Sequence, residues 1–338
     1  PLQIELVMNP SLQNDHFDKE RPVILEEIRR AEDGPLRRTF YRSMEMSFDM
    51  LPYRRPVLGP SDVVAQLTAE QMRAFHHTWY QPCNMTAVAV GNLPVEDLIR
   101  TVEESFEQAL ARSSRQYSSQ EMASQVPSDQ PEAPFPGIHR SEYIDNALQQ
   151  ARLVMGWRVP GMCELENTYA LDVAASILSR GRMSRFIDDL LERRQLVNSV
   201  SASNMTFGNQ GVFYISARMP VEKLAAAEAA IAEHIQRLHD EPITAAELRR
   251  VQTRVANRYI FGSETPSDRA GLYGYYQAMT GNIRHALDYP ECIRKVTAED
   301  VRSAVQRYLP LNAYGVTTLQ PETAQSAEET ASPQKVAV

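Results

Sequence analysis

Between residues 17 and 30 the chain reads F-D-K-E-R-P-V-I-L-E-E-I-R-R, with Val23, Ile24 and Ile28 at helical spacing. This predicts a helix, and Asn14 and Asp15 stand ahead of it as candidate caps. Glu20 and Glu27 are seven residues apart, two helical turns, so their carboxylates share one face. An ordinary amphipathic helix with its acids in water gives the same pattern, because acids are rarely buried. The same periodicity predicts helices over 38–49, 68–79, 95–110, 164–179, 221–238, 244–261, 267–280 and 297–308, with Thr68 as an N-cap. Short β-branched runs predict strands at 85–90, 151–157, 199–203, 212–218 and 313–319, and a further strand begins near Ile138.

Between these elements lie breaks. Residues 51–60 (L-P-Y-R-R-P-V-L-G-P) are too rich in proline for regular structure, and Tyr53, Arg54 and Arg55 read as a surface loop. From 111 to 137 the composition turns to Ser, Gln, Pro and Glu, which predicts an extended, exposed linker. The stretch 321–338 has a disordered composition. The tyrosines and methionines of 267–280 read as core packing, and Gly181 and Gly208 as turns.

The chain also repeats itself. Thr68-Ala69-Glu70 recurs as Thr297-Ala298-Glu299, Tyr80-x-Pro82-x-Asn84 as Tyr308-x-Pro310-x-Asn312, and Leu12 and Phe17 align with Ile243 and Leu248, all at an offset of about 230 residues. Two copies of one domain are implied: 1–112, then a linker 113–137, then 138–320, then a tail 321–338. The register places the start of the first copy about 90 residues ahead of Pro1, so its front is expected to be missing. It also sets Val251 opposite Glu20 and Arg258 opposite Glu27. One copy carries the acid pair and the other has replaced it, so the fold does not require the acids.

Composition narrows the partners. The 338 residues are 43% hydrophobic and 23% charged, the mix of a soluble globular protein, with no apolar run long enough for a membrane span. A net charge of −8 argues against nucleic acid as a main partner. Cys83, Cys163 and Cys292 are odd in number and far apart, so buried free thiols are expected rather than disulfides or a cysteine zinc site. The chain opens on Pro1 with no leader pattern, in the manner of a cut end, and both cytoplasm and periplasm stay open.

Taken in order, E-R-P-V-I-L-E-E-I-R-R-A-E-D-G-P, L-P-Y-R-R-P-V-L-G, W-Y-Q-P-C-N-M-T-A-V-A-V-G-N, M-G-W-R-V-P, S-R-G-R-M-S-R-F and G-V-F-Y-I-S-A-R resemble the pitrilysin, insulinase and mitochondrial-processing-peptidase family. The likeness spans about residues 1–320, and these are the inverzincins, whose signature is H-x-x-E-H. It implies the short bacterial architecture: two homologous α+β domains, each a mainly antiparallel sheet with helices on one face, the first lacking its N-terminal part. By position it makes Glu27 a zinc ligand and Glu20 a supporting acid behind it. Two imidazoles and a carboxylate leave a fourth zinc position for water, whose pKa the metal lowers toward neutrality.

Two departures qualify what the resemblance implies. His16, His76, His77, His139, His234, His239 and His285 form no H-x-x-E-H, so one zinc ligand of three is present and these residues alone should bind zinc weakly or not at all. Where relatives carry an Arg and a Tyr that grip substrate, this chain reads L-L-E-R-R-Q-L-V-N, with Leu191 and Asn198 at those positions; Arg193 and Arg194 are out of register and read as a solvated face. The implied protein is the zinc-bearing subunit of a metalloendopeptidase. It would form a homo- or heterodimer with a family member supplying Arg and Tyr, enclosing a peptide or unfolded protein. The alternative is a non-catalytic scaffold or peptide-binding subunit.

Overall fold

The computed structural model describes residues 2–113 and 130–322. The first elements are α1 (Leu2–Met8), α2 (Asn14–Asp33), α3 (Pro35–Ser47), α4 (Ser61–Gln66), α5 (Ala69–Trp79) and α6 (Val95–Arg112). Then come β1 (His139–Ile144), β2 (Ala151–Pro160), α7 (Tyr169–Ser179), β3 (Ser199–Met205), β4 (Gln210–Met219) and α8 (Leu224–Asp240). The last are α9 (Ala245–Phe261), α10 (Pro266–Thr280), α11 (Arg284–Leu287), α12 (Tyr289–Lys295), α13 (Ala298–Tyr308) and β5 (Gly315–Gln320). One compact unit gathers 2–32, 56–113 and 254–291, the other 33–55, 130–253 and 292–322.

The second unit holds a five-stranded mixed sheet in the order β1-β5-β2-β4-β3. Only β1 and β5 run parallel; the other pairings are antiparallel. Alternation sends Leu153, Met155, Trp157 and Val159 of β2 and Phe213, Ile215, Ala217 and Met219 of β4 to one face, where all are buried. Buried residues of α7 (Val173, Ile177), α8 (Ile231, Ile235) and α13 (Val301, Val305) complete that core. The opposite face presents Gly156 and Gly315 side by side, and α3 lies over them. A Cβ on Gly315 would stand 1.8 Å from the Met46 sulfur, so the close approach of α3 requires glycine there. At the end of α3 and beyond it, Met44, Phe48, Leu51 and Val212 form a buried cluster against which Tyr53 stacks on Phe207, ring centroids 4.7 Å apart.

Some elements at the repeat offset share local features. Both α5 and α13 have 11 residues and open on a threonine capping box, Thr68 with Gln71 and Thr297 with Asp300. The starts of α2 and α9, and the prolines that open α3 and α10, keep one offset (245 − 14 and 266 − 35 are both 231). A proline at the first helical position costs no hydrogen bond and presets φ, so the same start recurs.

Several expectations change. Residues 85–90 are extended and largely exposed but pair with no strand among the described residues. Their counterpart β5 sits between β1 and β2, whose equivalents at the repeat offset do not fall within these 338 residues. α10 buries none of its residues, Tyr275 and Met279 being about half exposed, so it is not core. Cys83 and Cys163 are exposed and Cys292 half-buried, correcting the expectation of buried thiols. Tyr53 is packed rather than a free loop residue, and its hydroxyl accepts the Asn209 amide at 3.1 Å. Much of the expected linker lies outside the described residues; its downstream end is anchored, with Phe135 8% exposed. Gly181 has φ of 94°, as a turn requires.

Candidate metal site

Helix α2 carries both candidate acids. Ile28 and Ala31 are buried on one side, which fixes the helix's rotation, while Glu20, Val23 and Glu27 are exposed on another. Its N-terminal end is tied down by Arg73, whose guanidinium donates to the Leu12 carbonyl at 2.7 Å and to Asn14 Oδ1 at 2.9 Å. Arg21 donates to the Leu67 carbonyl at 2.9 Å. Pro22 interrupts the helical ladder between the two acids.

The three glutamates of this stretch differ in what they touch. Glu26 accepts from Arg29 at 2.8 Å and Arg30 at 3.1 Å, and the Arg29 hydrogen bond, foremost, holds its carboxyl below the usual value. Glu20 and Glu27 engage no hydrogen bond or ion pair among the described residues. An open groove of about 560 Å³ beside Glu27 is lined by Pro22, Val23, Glu26, Glu27 and Arg30. In α9, Val251 at the Glu20 register is buried at 2%, whereas Arg258 at the Glu27 register is exposed. Burial therefore explains the missing acid at Val251, but packing does not explain the exchange of Glu27 for Arg258.

Among the described residues no histidine joins Glu27 in a group that could hold a metal ion. His76 Nε2 lies 2.8 Å from the Val7 carbonyl, His239 Nε2 3.0 Å from the Leu309 carbonyl, and His234 Nε2 2.9 Å from Asp189 Oδ2. Burial pushes the His234 imidazole down, with Asp189 opposing. Among the described residues no group of three His, Cys, Asp or Glu side chains could hold a metal ion. The residues present do not by themselves fit zinc. Leu191 lies in a short π-helix, Ile187–Arg193, and the backbone N–H of exposed Asn198 donates to the Arg218 carbonyl at 2.7 Å. Arg193 pairs with Asp188 and Arg194 with Glu233, each at 2.8 Å, on the solvated face expected for them.

Sequence reasoning missed a cluster of arginines, Arg38, Arg152 and Arg218, at one end of the sheet. Only the β2–β4 register brings the last two together.

No helix of the described residues is long and apolar enough to cross a membrane. The family model of the peptidase M16 inactive domain matches residues 66–255. An uncharacterized zinc protease of Mycobacterium bovis is 28% identical over 325 residues, covering 95% of this chain and 72% of that protein. A protease structure from Helicobacter pylori superposes with a TM-score of 0.78 at 21% identity, covering 91% of this chain and 73% of its own. A peptidase M16 inactive domain from Pseudomonas fluorescens gives 0.78 at 17% identity, covering 95% and 74%. The two structures bear on the fold. With more than half of its length in the family match, and the sheet and helices of such proteins, the chain belongs to the peptidase M16 family.

Proposed function

We propose that this chain is the zinc-bearing part of an M16 metalloendopeptidase, with Glu27 as a zinc ligand and Glu20 as the acid supporting it. The observation that carries the reading is an anchored helix presenting two unengaged carboxylates on one exposed face, with Arg258 in place of Glu27 in the repeated helix. The two imidazoles and the general-base glutamate would come from an H-x-x-E-H outside these residues. The substrate is an extended peptide or unfolded protein, which adds to a sheet edge between two such halves. A partner family member supplies the Arg and Tyr that Leu191 and Asn198 do not.

A second reading, a non-catalytic scaffold or peptide-binding subunit, draws on the matched domain being the inactive type. Hydrolysis of an unstructured peptide by the full-length gene product, alone and with its partner, separates the two. Chelator-sensitive cleavage that E27Q removes and E20Q lowers about 10–100-fold supports the peptidase. Absent cleavage, or cleavage indifferent to E27Q, overturns it.

A further inference from the structure

In the second unit, the start of β2 and the end of β4 meet with two arginines face to face. Arg152 and Arg218 are direct cross-strand partners, so their side chains leave the same side of the sheet a few ångströms apart. Like charges in that position destabilise a sheet. Arg38, from the first turn of α3, is the third cation of the group and is held by Asp145 at 2.6 Å. The Arg218 and Arg38 charges act on Arg152 more strongly than Asp145, the acid that opposes them. Three guanidinium groups therefore gather at this end of the sheet, with Asp145 paired to Arg38.

Space and unused donors accompany this cluster. A cavity of about 390 Å³ is lined by Pro35, Leu148, Gln149, Gln150, Arg152 and Arg218. Arg152 Nε is buried and has no hydrogen-bond partner, and Arg218 forms no ion pair among the described residues. Burial, followed by the Arg218 and Arg38 charges, pushes the Arg152 guanidinium below its ordinary value. Two planar forks with free N–H groups at a cavity mouth match the geometry of a carboxylate, which each can take in two parallel hydrogen bonds.

We propose that Arg152 and Arg218, with Arg38 behind them, form a carboxylate-binding site that takes a carboxylate of the bound peptide. This rests on the peptide reading above and gives it a substrate preference. The carboxylate is the peptide's C-terminus or an acidic side chain.

The test uses the full-length gene product with its partner, held in chelator so that no peptide is cleaved, and three fluorescein-labelled decapeptides of Gly, Ser and Ala, followed by anisotropy. One ends in a free carboxylate, the second in an amide, and the third in an amide with one internal Glu. The free acid should bind at least about tenfold tighter than the plain amide. R152Q/R218Q should abolish that difference, and R218Q alone, at an exposed side chain, should cut it at least about threefold. Tight binding of the Glu-containing amide assigns a side-chain carboxylate; weak binding assigns the terminus. The double variant relieves repulsion, so its melting temperature should be no lower than wild type, which verifies folding. Equal binding of acid and amides, or a difference that survives both variants, overturns the site while leaving the peptide reading intact. Failure of every peptide to bind overturns both.

Discussion

Loss of Arg158 should destabilise the second unit strongly. This arginine is 6% exposed and pairs with Glu132 at 2.8 Å and Asp49 at 2.9 Å. It also donates to the carbonyls of Ser47 at 2.8 Å and Ala133 at 2.7 Å, with its guanidinium 4.5 Å from the Phe135 ring centroid. Glu132, 10% exposed, accepts the amides of Asp49, Met50 and Leu51 in turn. The pair therefore staples the segment after α3 and the segment entering β1 to β2. R158A leaves the Glu132 carboxylate with backbone donors alone, and removing one partner of a buried ion pair costs about 3–5 kcal/mol. With an m-value of about 2 kcal/mol/M, the urea midpoint should fall by about 1.5–2.5 M. Trp157, 1% exposed, reports on this unit in a W79F background. A midpoint shift below about 0.5 M would refute the staple. The pH dependence gives a second check. Burial pushes the Glu132 carboxyl up, but the amides of Asp49, Leu51 and Met50 and the Arg158 charge outweigh it and hold it below 4.5. A depressed carboxyl stabilises above its unfolded value and loses that contribution as pH falls, so R158A should flatten the acid limb of the stability curve only in part, the backbone amides staying in place.

Further outcomes are expected. Burial raises the Glu247 carboxyl, but Arg185 and Thr244 overcome this and bring it to about 2; wild type should lose about 3 kcal/mol between pH 5 and 2 that E247Q does not, measured by chemical denaturation. T297A should cost about 1 kcal/mol by removing the α13 capping box, read as a lower urea midpoint. G315A drives a Cβ into Met46 and should destabilise by about 1–3 kcal/mol or more, with M46A partly restoring the melting temperature. Thiol reagents should label Cys83 and Cys163 faster than Cys292, as timed by mass spectrometry.

What was legible from sequence was local and repetitive. Thr68 as a cap, the helical span of Glu20 and Glu27, and the match of α5 with α13 depend on residues close in the chain or on two copies agreeing. Residues 85–90 failed as a strand because pairing needs neighbours, and alternation within one segment cannot supply them. The tyrosines of α10 misled for the same reason: an apolar helix face signals burial only if something covers it, and none of its residues is buried. Arg152 and Arg218 are 66 residues apart (218 − 152), and no pattern along the chain hints that a β-ladder sets them opposite. The anchoring of Glu132 was hidden in a polar stretch whose composition reads as linker.

Glu27 is the residue on which the functional account stands. Zinc content per chain of the purified full-length gene product, set beside that of E27Q and E20Q, tests it most directly. The account predicts about one zinc in wild type, loss in E27Q, and a weakened site in E20Q that holds zinc only at about 10–100-fold higher free metal. A full-length protein free of zinc, or E27Q retaining it at the wild-type level, would contradict the assignment.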